Sequence, residues 1–128
     1  LLDLVKEGKI SEERLESINQ RTRDGGAEIV KFLGTGSAFY APAASGVEMA
    51  SAYLRDEKKL LPCAAYLGGE YGIKGLYAGV PVIIGSKGVE KIEEINLNEK
   101  EKKEFINSIN AVKKLWKAAS EIDVNLSK

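Results

Sequence analysis

Small residues around two closely spaced glycines form the part of this sequence that is most similar to a ligand-binding loop. Gly34 and Gly36 flank Thr35, and the hydroxyl of Ser37 follows, in the segment GTGSAFYAPAAS. Such a turn binds phosphate when it leaves a β-strand and opens a helix. Here it follows a helical pattern, and it lacks both the third glycine of a dinucleotide fingerprint and the Gly-Lys-Ser/Thr of a P-loop. The spacing alone therefore favours a tight helix-to-helix turn.

The other reactive side chains do not form a recognisable catalytic group. The sequence has no histidine, the commonest acid–base catalyst and metal ligand. Cys63 stands among apolar residues and is predicted to be a buried structural thiol. Tyr71 and Lys74 have two intervening residues, whereas the tyrosine–lysine pair of reductases has three. Adjacent glutamates point to different sides of a helix or strand, and the spacing typical of metal ligands is absent.

Composition sets broad limits on the class of protein. The 128 residues suffice for one domain, and the 19 basic residues balance the 19 acidic ones, which argues against nucleic acid or a membrane surface as partner. The single cysteine favours a reducing compartment and predicts a cytoplasmic protein. Because the chain begins without methionine and its first residues, Leu1, Leu2, Leu4 and Val5, are apolar, we expect a fragment of a longer protein.

The segment before the turn has the pattern of a helix broken in two. Ser11, followed by two glutamates, is typical of an N-cap because its side-chain oxygen can accept from free N–H groups of the first helical turn. Gly25 and Gly26 predict a kink or short break. The second helical piece is expected to end at Gly34, where glycine suits a left-handed C-terminal cap.

A further helix, rich in small residues, is predicted after the turn. Pro42 lacks an N–H and is tolerated only in the first helical turn, so a straight helix should begin at Phe39 or later. One face is described by apolar residues with helical spacing, namely Ala43, Val47, Ala50 and Leu54.

The remainder of the chain predicts an antiparallel meander and a long final helix. Strands are expected near 61–68, 72–84 and 88–95, with the middle strand interrupted at Gly79 and Pro81, which should mark an edge or a bulge. The final helix begins with a capping box formed by Asn98 and Glu101, and its apolar face comprises Phe105, Ile109, Val112, Trp116 and Ala119. We therefore predict an α+β domain in which helices pack on a glycine-rich antiparallel sheet.

Three longer strings carry a resemblance that the local patterns do not reveal. GGAEIVKFLGTGSAFYAPAAS, PCAAYLGGEYG and YAGVPVIIGSKGVEKI closely resemble the lactate/malate dehydrogenase family, above all its lactate dehydrogenase-like malate dehydrogenases. The resemblance runs through almost the whole chain. It implies that residues 1–128 are the C-terminal, substrate-binding domain, and that an N-terminal Rossmann domain that binds NAD is absent from this chain.

The resemblance also implies which residues of the site lie in this chain and which do not. In the family, a histidine paired with an aspartate exchanges the alcohol proton, and arginines clamp the substrate carboxylates. Those residues precede the start of this chain, so the 128 residues alone should not turn over substrate. By the same resemblance, Ser37 and Ala38 face the substrate, and Pro42 packs near the nicotinamide ring. Malate and oxaloacetate are the implied substrates, and a homo-oligomer is the implied assembly.

Two alternatives remain open on the sequence. The chain could be the C-terminal domain of a lactate dehydrogenase, because the arginine that discriminates between the substrates lies in the part not present here. It could also be a non-enzymatic interaction module, since its α+β pattern is self-contained and it lacks catalytic side chains.

Overall fold

The structure is a computed structural model that describes residues 2–127, and it has the predicted α+β architecture. The chain consists of two compact units, one ending at Gly46 and the other beginning at Val47. Leu1, which the sequence predicts to need a packing partner, lies outside the described residues. The principal elements are α1 (Leu2–Lys6), α2 (Glu12–Leu33), α3 (Tyr40–Leu54), β1 (Lys59–Gly68), β2 (Lys74–Gly85), β3 (Gly88–Ile92) and α4 (Glu99–Ile122).

Helix α2 begins as predicted but has no break. The Ser11 side chain accepts a hydrogen bond from the Arg14 backbone N–H at 3.1 Å. The helix then continues through Gly25 and Gly26, so the predicted kink is wrong. Each glycine weakens a helix by about 1 kcal/mol relative to alanine, a cost that a helix of this length tolerates. An ion pair between Arg21 and Glu28, at 3.0 Å, spans the two glycines and supports the helix across them.

The ends of α2 and α3 that flank the glycine turn agree closely with the prediction. Gly34 follows α2 with φ of 73°, and its N–H donates to the Val30 carbonyl at 3.0 Å. Its ψ of −36° lies outside the left-handed helical region, so the cap is left-handed in φ only. Helix α3 begins at Tyr40, within the predicted limit, and Pro42 occupies its first turn.

The sheet is the predicted antiparallel meander, in the order β1-β2-β3. The central strand β2 is continuous through Gly79 and Pro81, so the predicted interruption there is wrong. Pro81 stands opposite Pro62 of β1. Because neither proline has an N–H, the pair takes a position that needs no hydrogen bond between its members. On its other side β2 pairs with β3 only from Val82 onward, so Pro81 lies on an edge there, as predicted, and a register shift follows between Ile83 and Ile84.

One face of the sheet forms the core of the second unit. Strict alternation along β1 and β2 buries facing pairs such as Leu61 with Val82 and Leu67 with Leu76. Helix α4 starts with the predicted capping box and contributes Ile109, which is 2% exposed. Ala52 of α3 is fully buried in the same core, whereas two members of the predicted α3 face, Val47 and Leu54, are largely exposed.

Candidate functional site

The three residues predicted to line a substrate site lie within six consecutive positions of the first unit. Ser37 and Ala38 belong to the turn between α2 and α3, and Pro42 is the third residue of α3. Ser37 and Pro42 are exposed, and Ala38 is half-buried. The three residues thus lie together on an accessible segment and not inside a core.

The shape of the turn follows from its glycines. Gly34 and Gly36 have φ of 73° and 89°, a region that glycine adopts without the strain that a Cβ brings. With α2 before it and α3 after it, the segment is the helix-to-helix turn that the spacing predicts. A strand does not precede it, so the context of a phosphate-binding loop is missing.

The chemistry available in this segment is limited to surface and hydrogen bonding. From Gly34 to Gly46 the sequence has no acidic or basic side chain, and Ser37 offers a hydroxyl that can donate and accept. Such a segment can form an uncharged wall that carries hydroxyl groups, at Thr35, Ser37, Tyr40 and Ser45. It contains no histidine, carboxylate, lysine or cysteine for proton transfer.

A surface groove of about 530 Å³ lies elsewhere in the same unit, along α2. Its lining includes Ile18, Arg21, Gly25, Ile29 and Phe32, but not Ser37, Ala38 or Pro42. The guanidinium of Arg21 hydrogen-bonds the Glu28 carboxylate there, which lowers the pKa of Glu28. This charge pair lies on the surface of the helix.

The strongest electrostatic cluster, in the second unit, was not predicted from the sequence. The Asp56 carboxylate accepts a hydrogen bond from the Ser86 backbone N–H at 2.7 Å, and this bond together with Lys58 lowers the pKa of Asp56 to about 2. Lys58 Nζ lies 3.0 Å from Asp56 Oδ1 and 2.6 Å from Glu90 Oε2. Gly85 makes room for the cluster, because a Cβ there would stand 2.5 Å from Glu90 Oε1.

This cluster joins the segment after α3 to the β2–β3 turn and has a structural role. Asp56 and Lys58 adopt φ of 52° and 53°, unusual for residues other than glycine. Their polar bonds to the turn offset that backbone cost. A lone Asp or Lys in a sequence carries no signal for such a contact, because its partners lie about 30 residues away.

The remaining candidates have structural explanations. Cys63 is buried, and burial raises the pKa of its thiol, as expected for an inert cysteine. The Tyr71 hydroxyl donates to the Glu93 carbonyl at 2.9 Å and accepts from the Ile95 N–H at 3.1 Å, which commits it to the fold. Among residues 2–127, no group of three or more His, Cys, Asp or Glu side chains could hold a metal ion. No helix in that range is both long and apolar enough to cross a membrane.

Comparison with known proteins relates the chain to one protein family. The model of the lactate/malate dehydrogenase alpha/beta C-terminal domain matches residues 1–122. A malate dehydrogenase of Pelagibacter ubique is 78% identical over the full chain, and one of Roseobacter denitrificans is 58% identical over 99% of it. The chain spans 40% of the length of each of these relatives.

Solved structures agree with the sequence comparison. A lactate dehydrogenase from Eimeria maxima, with NADH and oxamate, matches with a TM-score of 0.88 and 41% identity. That match covers 96% of this chain and 38% of the Eimeria protein. A malate dehydrogenase from Cryptosporidium parvum matches with a TM-score of 0.83 and 48% identity, over 90% of this chain and 37% of that protein. The glycine turn, the three-stranded meander and the capped final helix thus belong to a chain of the lactate/malate dehydrogenase family, whose alpha/beta C-terminal domain it represents.

Proposed function

We propose that this chain is the substrate-binding part of an NAD-dependent malate dehydrogenase that interconverts malate and oxaloacetate. The observation that carries the proposal is the 78% identity, over all 128 residues, to a malate dehydrogenase of Pelagibacter ubique. In this proposal the chain acts together with an N-terminal domain that binds the nucleotide. The family match argues against the alternative of a non-enzymatic interaction module.

The proposed role of the turn is to shape the space around the reacting carbon. Ser37 and Ala38 are small, and small side chains leave volume for the second carboxylate of a dicarboxylate substrate. The Ser37 hydroxyl is exposed and can hydrogen-bond a substrate oxygen. Because the segment has no charged side chain and the sequence has no histidine, we assign proton transfer and carboxylate clamping to residues outside this chain.

The residues present fit a nicotinamide neighbour in shape and charge. Pro42 is exposed in the first turn of α3, and the surrounding segment carries no charged side chain, so it offers an apolar face to a planar ring. Bound NAD would accept or supply the hydride. The part of Pro42 is to limit how far that ring can move and to keep water from it.

Further polypeptide is expected to cover the first unit. Helix α2 has no buried residue, and four large apolar side chains near its C-terminal end are exposed: Ile29, Val30, Phe32 and Leu33. Apolar groups gathered in this way mark interaction surfaces. We therefore propose the protein's own N-terminal domain and a second subunit as partners, and the cytoplasm, on the single reduced cysteine, as the compartment.

A direct test compares substrates in the full-length protein. We expect kcat/KM with NADH to be about 100-fold higher for oxaloacetate than for pyruvate, because the pocket is complementary to a dicarboxylate. A preference for pyruvate would instead assign the protein to lactate, an alternative that the match to lactate dehydrogenase structures keeps open. Absence of activity on both substrates would reject the proposal.

A bulky substitution tests whether Ser37 lines the substrate site. Ser37→Leu should lower kcat/KM for oxaloacetate at least about tenfold by filling the space of the second carboxylate. The matched control is Ser108→Leu on the exposed surface of α4, which should leave kcat/KM within about twofold. Equal effects of the two variants would contradict the assignment of Ser37.

A further inference from the structure

The turn that carries Ser37 is held by few bonds of its own. Within the described part of the chain, no hydrogen bond involves residues 35–38. The nearest backbone bonds stand on either side, from the Gly34 N–H to the Val30 carbonyl and from the Ala43 N–H to the Phe39 carbonyl, each at 3.0 Å. Hydrogen bonds thus fix the two helix ends but leave the backbone between them unrestrained.

One side chain does contact this unrestrained backbone. The ring of Phe39 lies over the face of Gly36 that has no side chain: an ideal Cβ on Gly36 would be 3.4 Å from Phe39 Cε2 and 3.5 Å from Cζ. Since φ at Gly36 is 89°, glycine is also the residue that fits the backbone there. Ring and glycine together form a small apolar contact that closes the turn from residue 36 to residue 39.

We propose that Phe39 is a positioning residue, whose ring packs on Gly36 and thereby holds Ser37 and Ala38 in the geometry that lines the substrate site. The inference rests on the function proposed above and adds a residue and a contact to it. Phe39 itself acts through the turn and does not touch the reacting atoms.

The arrangement suits this role better than a role in stability. Phe39 is 62% exposed and is not part of the buried core, so little of the fold depends on its ring. A phenyl ring has only two rotatable side-chain bonds, so it can order a neighbouring backbone at small entropic cost. The next aromatic residue, Tyr40, is 87% exposed and has no aromatic partner among the described residues, which makes it a suitable control.

The test uses the full-length protein with Phe39→Ala, Phe39→Tyr and the control Tyr40→Ala. We expect Phe39→Ala to raise KM for oxaloacetate about tenfold with kcat within about twofold, because a disordered wall weakens binding of substrate and transition state alike. Phe39→Tyr keeps the ring and should restore KM to within about twofold of wild type. The dissociation constant of NADH and the melting temperature should change little in all three variants.

Hydrogen exchange provides a readout that does not depend on turnover. In Phe39→Ala, the amides of Gly36, Ser37 and Ala38 should exchange faster, whereas those of α4 should not change. If KM and the exchange of these amides are the same in Phe39→Ala and Tyr40→Ala, the proposal is wrong. If the wild-type protein has no oxaloacetate reductase activity, the proposed function fails, while the exchange measurement still decides whether Phe39 orders the turn.

Discussion

The two units of this chain are stabilised in different ways. Beyond Val47, alternate residues of β1 and β2 bury a continuous apolar face that also receives Ala52 and Ile109. Before Gly46, α1 and α2 bury no residue at all, although α2 is 22 residues long. Its order comes from the Ser11 cap and from ion pairs along its surface. One unit thus contains its own core, and helices α1 and α2 of the other bury no residue.

This difference agrees with the proposed division of function. Under the proposed function the wall of the substrate site has to be accessible, and the segment with Ser37 and Pro42 lies in the unit without a core. The sheet unit contains the side chains with the most perturbed electrostatics, but these bond to one another and to backbone. Perturbed pKa values therefore mark the structural cluster and not the candidate site.

Truncation of a core side chain in the sheet unit should have the largest effect on stability. Leu67 is fully buried in the sheet, so Leu67→Ala should lower the free energy of unfolding by about 2–5 kcal/mol through lost burial and the cavity that remains. Leu54→Ala, at a position 79% exposed, is the matched control and should cost less than about 0.5 kcal/mol. Urea unfolding measures both. Similar losses for the two variants would mean that the sheet face is not the core.

The same glycine-to-alanine change should have opposite signs in the two units. Gly26→Ala in α2 meets no atom within 4 Å and should add about 0.4–1 kcal/mol by removing freedom from the unfolded chain. Gly85→Ala places a Cβ 2.5 Å from Glu90 Oε1 and 2.7 Å from Asp56 Oδ1, and should cost about 1–3 kcal/mol as the carboxylates are displaced. Gly79→Ala, an open position on the same strand as Gly85, controls for strand effects. Thermal unfolding measures the stability of all three variants. A change of stability with the same sign in Gly26→Ala and Gly85→Ala would contradict the comparison.

Acid should weaken the sheet unit through Asp56. Its folded pKa of about 2 lies below the ordinary 3.8, so the carboxylate stabilises the fold above about pH 4, and this contribution is lost as the pH falls towards 2. Asp56→Asn should flatten the dependence of unfolding on pH within that window, since asparagine tolerates the positive φ but does not titrate. Ser86→Ala keeps the backbone N–H that is the main cause of the shift and should retain most of the dependence. An unchanged slope in Asp56→Asn would exclude this carboxylate as the source.

The elements with local signals were predictable from the sequence. Ser11 and Asn98 cap helices because their side chains reach backbone N–H groups within three residues. The start of α3 beyond Phe39 follows from the missing N–H of Pro42. Short β-favouring runs punctuated by glycines located the three strands to within a few residues. The candidate site residues came from resemblance to a family, and their roles remain a proposal.

The wrong predictions each concern a residue whose own propensity is outweighed by its surroundings. Gly25 and Gly26 suggest a break by local propensity alone, but the helix around them is long and Arg21 pairs with Glu28 across them. Pro81 suggests an interrupted strand until its cross-strand neighbour is known to be Pro62.

The sequence by itself determined, to within a few residues, where helices and strands begin, and it determined the family to which the chain belongs, because these depend on contacts within a few residues or on long similar strings. Only the tertiary structure decided which apolar faces are buried and which polar groups meet. Ala52 is in the core and Val47 is not, and Asp56 bonds the backbone at Ser86. The burial of α3 and the cross-strand register depend on surfaces that meet only after the chain has folded, so the local pattern does not encode them.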